Sequence, residues 1–120
     1  MINLDTHMLV FSMAGEVTAK ERAVLSANPW SISAIVLWEL AKLVQLGRLD
    51  MDLDDPEVTR TLSALHVWPI DLAVSRQSTR LDFHGDPADE LIAATSIVHS
   101  VPLLTRDRVI RKSKRVPIAL

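Results

Sequence analysis

Asp86-Pro87-Ala88-Asp89-Glu90-Leu91-Ile92-Ala93-Ala94-Thr95-Ser96-Ile97-Val98-His99-Ser100-Val101-Pro102-Leu103-Leu104-Thr105-Arg106-Asp107 joins a helix start to a buried strand and sets acids at both ends. Asp86-Pro87 is a helix opening, a short acceptor side chain followed by a proline at the first helical position. Val101 to Leu104 is the best strand pattern in the chain, and Asp107 lies three residues beyond it. Folding alone does not demand carboxylates at both junctions, whereas a divalent cation would.

Ile2 to Leu4 reads as a short strand that stops at Asp5, and Thr6 to Ala14 as helical turns ended near Gly15. Thr18 and Glu21 match a capping box that opens a helix to about Ala27. Pro29 blocks its continuation, and Trp30 to Ile32 is a short strand. Ser33 caps a helix reaching Leu46, with Gly47 as its stop. Asp55-Pro56-Glu57 starts another helix, ending near His66. Val67 to Ile70 is expected to be a strand despite Pro69, Asp71 caps a helix to about Leu81, Arg106 to Lys112 makes a helical turn, and Val116 to Ala119 a last strand. Short apolar strands alternating with helices predict an α/β fold: three layers, α/β/α, around a mainly parallel central sheet, with residues 1–120 as one domain.

The bulk numbers narrow the class. A chain of 120 residues can bury a real core without staples. It has no cysteine, which excludes disulfides and thiolate metal sites and fits a reducing compartment. No apolar run is long enough to span a membrane and no basic-then-apolar leader opens the chain, so the expected location is the cytoplasm. The apolar share of 48% is high for a small domain and points to a partner or to self-association. The net charge of −2 hides an asymmetry: residues 1–105 carry 7 basic and 14 acidic side chains, residues 106–120 carry 6 and 1. A basic end on an acidic body suits a polyanion approaching an acidic pocket; a solvated tail explains it equally well.

Parallel strands bring Asp5 and Asp107 to the same edge of the sheet, where open α/β folds bind ligands. Asp86 and Asp89 open the helix that leads into the last of these strands. Asp86 reads mainly as a helix cap, while Asp89 is split between the helix dipole and a ligand role. Glu39 sits in Ile35-Val36-Leu37-Trp38-Glu39-Leu40-Ala41-Lys42-Leu43, a helix apolar nearly all round, where a carboxylate is costly unless paired or metal-bound. The plain alternative is an ion pair with Lys42. Crowded carboxylates raise one another's pKa or recruit a cation, and oxygen ligands without thiols select Mg²⁺ or Mn²⁺. In this scheme Asp5 and Asp89 are direct ligands, and Glu39 and Asp107 bind directly or through water. Thr105 and Thr6 position a water or a carboxylate by hydrogen bonding.

Four segments now carry a resemblance over essentially the whole chain: Leu-Asp-Thr-His at 4–7, Leu-Trp-Glu-Leu-Ala at 37–41, Gly-Asp-Pro-Ala-Asp-Glu-Leu-Ile-Ala-Ala-Thr at 85–95, and Pro-Leu-Leu-Thr-Arg-Asp at 102–107. Together they resemble the PIN-domain ribonucleases, specifically the VapC-type toxins of toxin–antitoxin pairs. The resemblance implies a Mg²⁺- or Mn²⁺-dependent endoribonuclease that forms a homodimer and is blocked by a small VapB-like antitoxin. Its acidic quartet falls on Asp5, Glu39, Asp89 and Asp107. One departure is visible: Glu90 stands where relatives often carry arginine, which adds negative charge beside the expected pocket.

Two other functions fit parts of this pattern. A different Mg²⁺-dependent phosphohydrolase of the aspartyl-phosphate kind would want an aspartate at position 7, where His7 stands. A PIN-like binding module that has lost catalysis is kept open by Glu90. The acids at 50, 52, 54 and 55 evoke a calcium loop but lack its glycine and its closing glutamate, so a turn and helix cap is expected. Trp30, Trp38 and Trp68 are expected in the core, and His7 and His84 receive no role. For RNA phosphates the nearest cations are Arg106, Arg108 and Arg111, whose alternative is a solvated helix face.

Overall fold

The computed structural model describes all residues from Met1 to Leu120. In chain order its elements are β1 (Ile2–Leu4), α1 (Thr6–Ala14), α2 (Ala19–Ala27), β2 (Trp30–Ser33), α3 (Ala34–Gln45), α4 (Pro56–Ser63), β3 (His66–Trp68), α5 (Leu72–Ser78), α6 (Pro87–His99), β4 (Leu103–Leu104) and α7 (Arg108–Arg111). The strands form one sheet in the order β3-β2-β1-β4, with every pairing parallel. Leu4 is in register with Ile32 on one side and Leu104 on the other. The residues after each strand therefore emerge side by side at one edge.

All three residues of β1 are buried, so both faces of the sheet are covered, as three layers require. Asn3 points to the α6 side, where its Nδ2 donates to Ser96 Oγ at 3.0 Å and to the Ile92 carbonyl at 3.5 Å. Side chains alternate along a strand, so Ile2 and Leu4 face the opposite layer. The core gathers Leu4, Met8, Leu9, Ile32, Val36, Leu40, Ile92, Leu103, Leu104 and Ile110, all essentially without solvent contact.

The helix starts follow their signals. Asp5, Thr18, Ser33, Asp55, Asp71 and Asp107 each accept a backbone N–H of the first turn, and Thr18 with Glu21 completes a capping box. Within the acidic stretch at 50–55, Asp52 accepts from Asp54 N and Asp55 caps α4, which makes it a turn and a cap.

The strands depart more from expectation. β4 is only Leu103–Leu104, because Pro102 has no N–H for the ladder. β3 is displaced to His66–Trp68 and ends at Pro69. The expected strand at Val116–Ala119 reduces to a single parallel bridge, Leu103 to Ile118, since Pro117 contributes only its carbonyl. Trp38 also corrects the sequence reading, being 55% exposed rather than in the core. Val36 and Leu40 define the buried side of α3, and at 3.6 residues per turn Trp38 lies opposite them. Exposed with it are Leu37, Leu46, Ile70, Leu72 and Val109, which accounts for the apolar surplus.

Candidate active site

The carboxyl edge of the sheet opens into a cleft of about 400 Å³ lined by Asp5, His7, Met8, Phe11, Glu39, Asp86, Asp89, Arg106 and Asp107. All four acids of the expected quartet are in its wall, drawn from four separate segments of the chain.

Asp5 and Thr105 arrive together because they follow Leu4 and Leu104, which are in register. Asp5 is buried, and both its oxygens are held: Oδ1 accepts Met8 N at 2.8 Å and Oδ2 accepts Thr105 Oγ1 at 2.5 Å. Each of those oxygens keeps a second lone pair for a ligand. Burial pushes the Asp5 carboxyl above its ordinary pKa, against the opposing pull of those two hydrogen bonds. Thr105 Oγ1 in turn accepts Asp107 N at 3.0 Å, and Asp107 Oδ1 caps α7 by accepting Val109 N and Ile110 N. Thr6 does for Glu39 what Thr105 does for Asp5, donating to Oε1 at 2.5 Å. Lys42 does not pair with Glu39; its ammonium goes to Gln45 Oε1 instead.

Asp89 stands differently. No protein hydrogen bond or ion pair satisfies its half-buried carboxylate, and its pKa is pushed up to about 6, first by desolvation and then by Glu39, Asp107, Asp5 and Asp86. Asp86 needs a correction. It occupies the cap position of α6, but its side chain makes no capping hydrogen bond and faces the cleft.

Glu90 also differs from expectation. It lines a separate hollow with Ser78, Thr79, Leu81, Phe83 and His84, because successive helix residues point about 100° apart. Its charge does not enter the acidic cleft.

Of the three arginines, Arg108 and Arg111 are exposed beside Asp107, Arg111 donating to the Thr105 carbonyl at 3.2 Å. Arg106 lines the cleft and makes the one ion pair of the structure, with Glu21 at 2.8 Å. That bidentate contact holds the Glu21 carboxyl at about 2, below its ordinary value of 4.5. A depressed pKa contributes stability that is present above the unfolded value and lost as pH falls through the folded one. The stability difference between wild type and Glu21→Gln is therefore expected to shrink as pH falls from about 4.5 to about 2, as followed by thermal melts.

Sequence reasoning missed Glu21 as a neighbour of the cleft, and it missed Asn3, whose side chain ties β1 to the helix carrying Asp89. A polar residue between Ile2 and Leu4 in a buried strand was the available signal.

The donor set fits a hard divalent cation. The four acids offer only oxygen, with spare lone pairs, and none of them is in an ion pair, Arg106 being paired with Glu21. The acids line the walls without converging: no three of them form a preformed cage.

Fold and cleft together define a parallel α/β domain with a carboxylate pocket at the carboxyl edge of its sheet. The family model described as PIN domain matches residues 2–116. The chain is 33% identical over 100 residues to Ribonuclease VapC22 of Mycobacterium tuberculosis, covering 80% of this chain and 76% of that protein. Its structure resembles VapBC2 from Rickettsia felis bound to a promoter DNA fragment, with TM-score 0.73 and 20% identity over 98% of this chain and 97% of that one. It also resembles a toxin–antitoxin complex from Klebsiella pneumoniae, with TM-score 0.71 and 18% identity over 100% and 98% of the two chains. The chain belongs to the PIN-domain family, among its VapC-type members.

Proposed function

We propose that this protein is an endoribonuclease dependent on Mg²⁺ or Mn²⁺ and the toxin of a toxin–antitoxin pair. The observation that carries the reading is the cleft itself: Asp5, Glu39, Asp89 and Asp107 share one wall, and none of them is in an ion pair, the one ion pair being Arg106 with Glu21. A cation bound there activates water and offsets charge developing on a phosphodiester.

The chain's own residues prepare that chemistry. Thr105 and the Met8 N–H orient Asp5, Thr6 orients Glu39, and the start of α7 orients Asp107, so three carboxylates are fixed before any ligand arrives. Such preorganisation removes reorganisation from the reaction step. Asp5 and Asp89 are the direct ligands, with Glu39 and Asp107 binding directly or through water. Asp86, with no protein hydrogen bond on its side chain, joins them as an outer acid. Arg108 and Arg111, exposed beside Asp107, contact RNA phosphates.

The likeness to VapBC and other toxin–antitoxin complexes supports a small VapB-like antitoxin as the partner. Exposed Leu37, Trp38, Leu46, Ile70 and Leu72 give apolar surface for that partner and for a homodimer. No helix is long and apolar enough to cross a membrane, and the absence of cysteine suits the cytoplasm. The binding-module reading loses its support, because the Glu90 charge lies outside the cleft.

Purified protein is expected to cut single-stranded RNA with Mg²⁺ or Mn²⁺, to stop on chelation and to resume when the ion is restored. Cleavage indifferent to chelator overturns the reading.

The raised pKa of Asp89 adds a pH prediction. In metal-free protein its stabilising contribution is fully present below about 3.8 and lost as pH rises through about 6. Asp89→Asn should therefore gain on wild type in melting temperature across that window. A cation competes with the same proton, so Mn²⁺ affinity should weaken as pH falls below about 6, with proton release on binding. Calorimetry in two buffers of different ionisation enthalpy measures both.

A further inference from the structure

Arg106 lies between two site residues, Thr105 and Asp107, and its guanidinium, part of the cleft lining, is spent on protein partners. Nε donates to Glu21 Oε2 at 2.9 Å and Nη2 donates to Glu21 Oε1 at 2.8 Å and to the Glu16 carbonyl at 3.0 Å. The guanidinium also stacks over the Phe11 ring at 4.3 Å. Glu21 is buried and fixed in turn, its Oε1 accepting Thr18 N at 2.9 Å as half of the capping box of α2. Three of the five guanidinium N–H groups are thereby used, and the charge is matched by a carboxylate at contact distance.

We propose that Glu21 and Arg106 form a strut that positions the Thr105–Asp107 segment, making Arg106 a positioning residue and not a phosphate contact. The segment needs such a hold. β4 is only two residues long, and beyond it Thr105 must present its hydroxyl to Asp5 while Asp107 must cap α7. An anchor on the intervening residue fixes both side chains at once, joining α2 and the end of α1 to the sheet edge. The inference rests on the endoribonuclease reading for its meaning, although the strut itself is a matter of geometry.

Three variants separate positioning from phosphate contact: Glu21→Ala, Arg106→Lys and the double variant Glu21→Ala/Arg106→Lys. Thr18→Ala serves as the control, since it removes the other half of the capping box and leaves the ion pair. Lysine keeps the charge a phosphate would read but loses the planar fork that grips a carboxylate. As a strut, both single variants lower kcat by roughly 10–100-fold, as small misplacements of reacting groups do, with KM for RNA changed little. They weaken Mn²⁺ binding in parallel, by roughly 10-fold or more, and the double variant is no worse than either single. Thr18→Ala keeps wild-type kcat at a lower melting temperature.

As a phosphate contact, Arg106→Lys stays active and Glu21→Ala binds RNA more tightly, because a competing carboxylate is gone. Either result overturns the strut, as does Mn²⁺ affinity unchanged in both single variants. That last measurement needs no RNA, so it decides the strut even if wild-type protein cleaves nothing, which would instead overturn the endoribonuclease reading. Should Glu21→Ala fail to fold, Arg106→Lys decides alone, because its side chain is 42% exposed and the change is tolerated by the core.

Discussion

Asp5→Asn is expected to lower RNA cleavage by at least ~10³-fold, the scale of the several kcal/mol a metal ligand contributes to the transition state. The same change should leave the fold as stable as before or more so. Asparagine retains an oxygen to accept Met8 N, and its amide can donate to Thr105 Oγ1, whose hydroxyl rotates to accept. What disappears is a buried charge whose desolvation already raises the pKa of Asp5. Loss of activity without loss of stability separates a ligand from a structural acid. Single-turnover cleavage beside a thermal melt reads both, and a variant that still cuts RNA at a tenth of the wild-type rate would remove Asp5 from the mechanism.

The second large effect concerns the frame that holds the cleft. Asn3→Ala is expected to destabilise the protein by ~2–4 kcal/mol, combining a cavity in the core with the loss of buried hydrogen bonds. Asn3 is fully buried and donates to Ser96 and the Ile92 carbonyl on α6, while Ser31 Oγ on β2 lies within 3.5 Å of its Oδ1. One side chain thus ties two strands to the helix that carries Asp89. For a chain of this size the melting temperature should fall by roughly 10–15 °C. A drop under about 3 °C would show that α6 is held by apolar packing alone.

These two residues also show what the sequence made legible. Asp5 and Asp107 were readable because each follows a short apolar run, and parallel strands carry such ends to one edge. Glu39 was readable because a carboxylate in a nearly apolar helix needs a reason to be there. Asp86 was misread, since Asp-Pro before a helix is the same pattern whether the aspartate caps or faces outward. Glu21 was seen only as half of a local capping box. Its contact with Arg106 spans 85 positions, and no local pattern encodes a pairing at that range.

The lengths of β3 and β4 were overestimated for a related reason. Hydrophobicity continues through Pro102 and Pro69, but the hydrogen-bond ladder does not. Trp38 was placed inside because it stands in an apolar helical run, although its spacing from Val36 and Leu40 puts it outside. The core of the sheet edge was therefore readable from residue type and order, while its long-range clamps needed the fold.

If acids from four separate segments make one cation site, removing any one of them weakens the same binding event. Calorimetric titration of Mn²⁺ at pH 7.5 (above the Asp89 transition near 6) into wild type and into Asp5→Asn, Glu39→Gln, Asp89→Asn and Asp107→Asn tests it most directly. Wild type is expected to bind saturably and all four variants more weakly, with Asp5→Asn and Asp89→Asn the most impaired. Wild-type protein that binds no Mn²⁺ up to millimolar concentration, or variants at 5 and 89 that bind it unchanged, would rule out a cation site in this cleft.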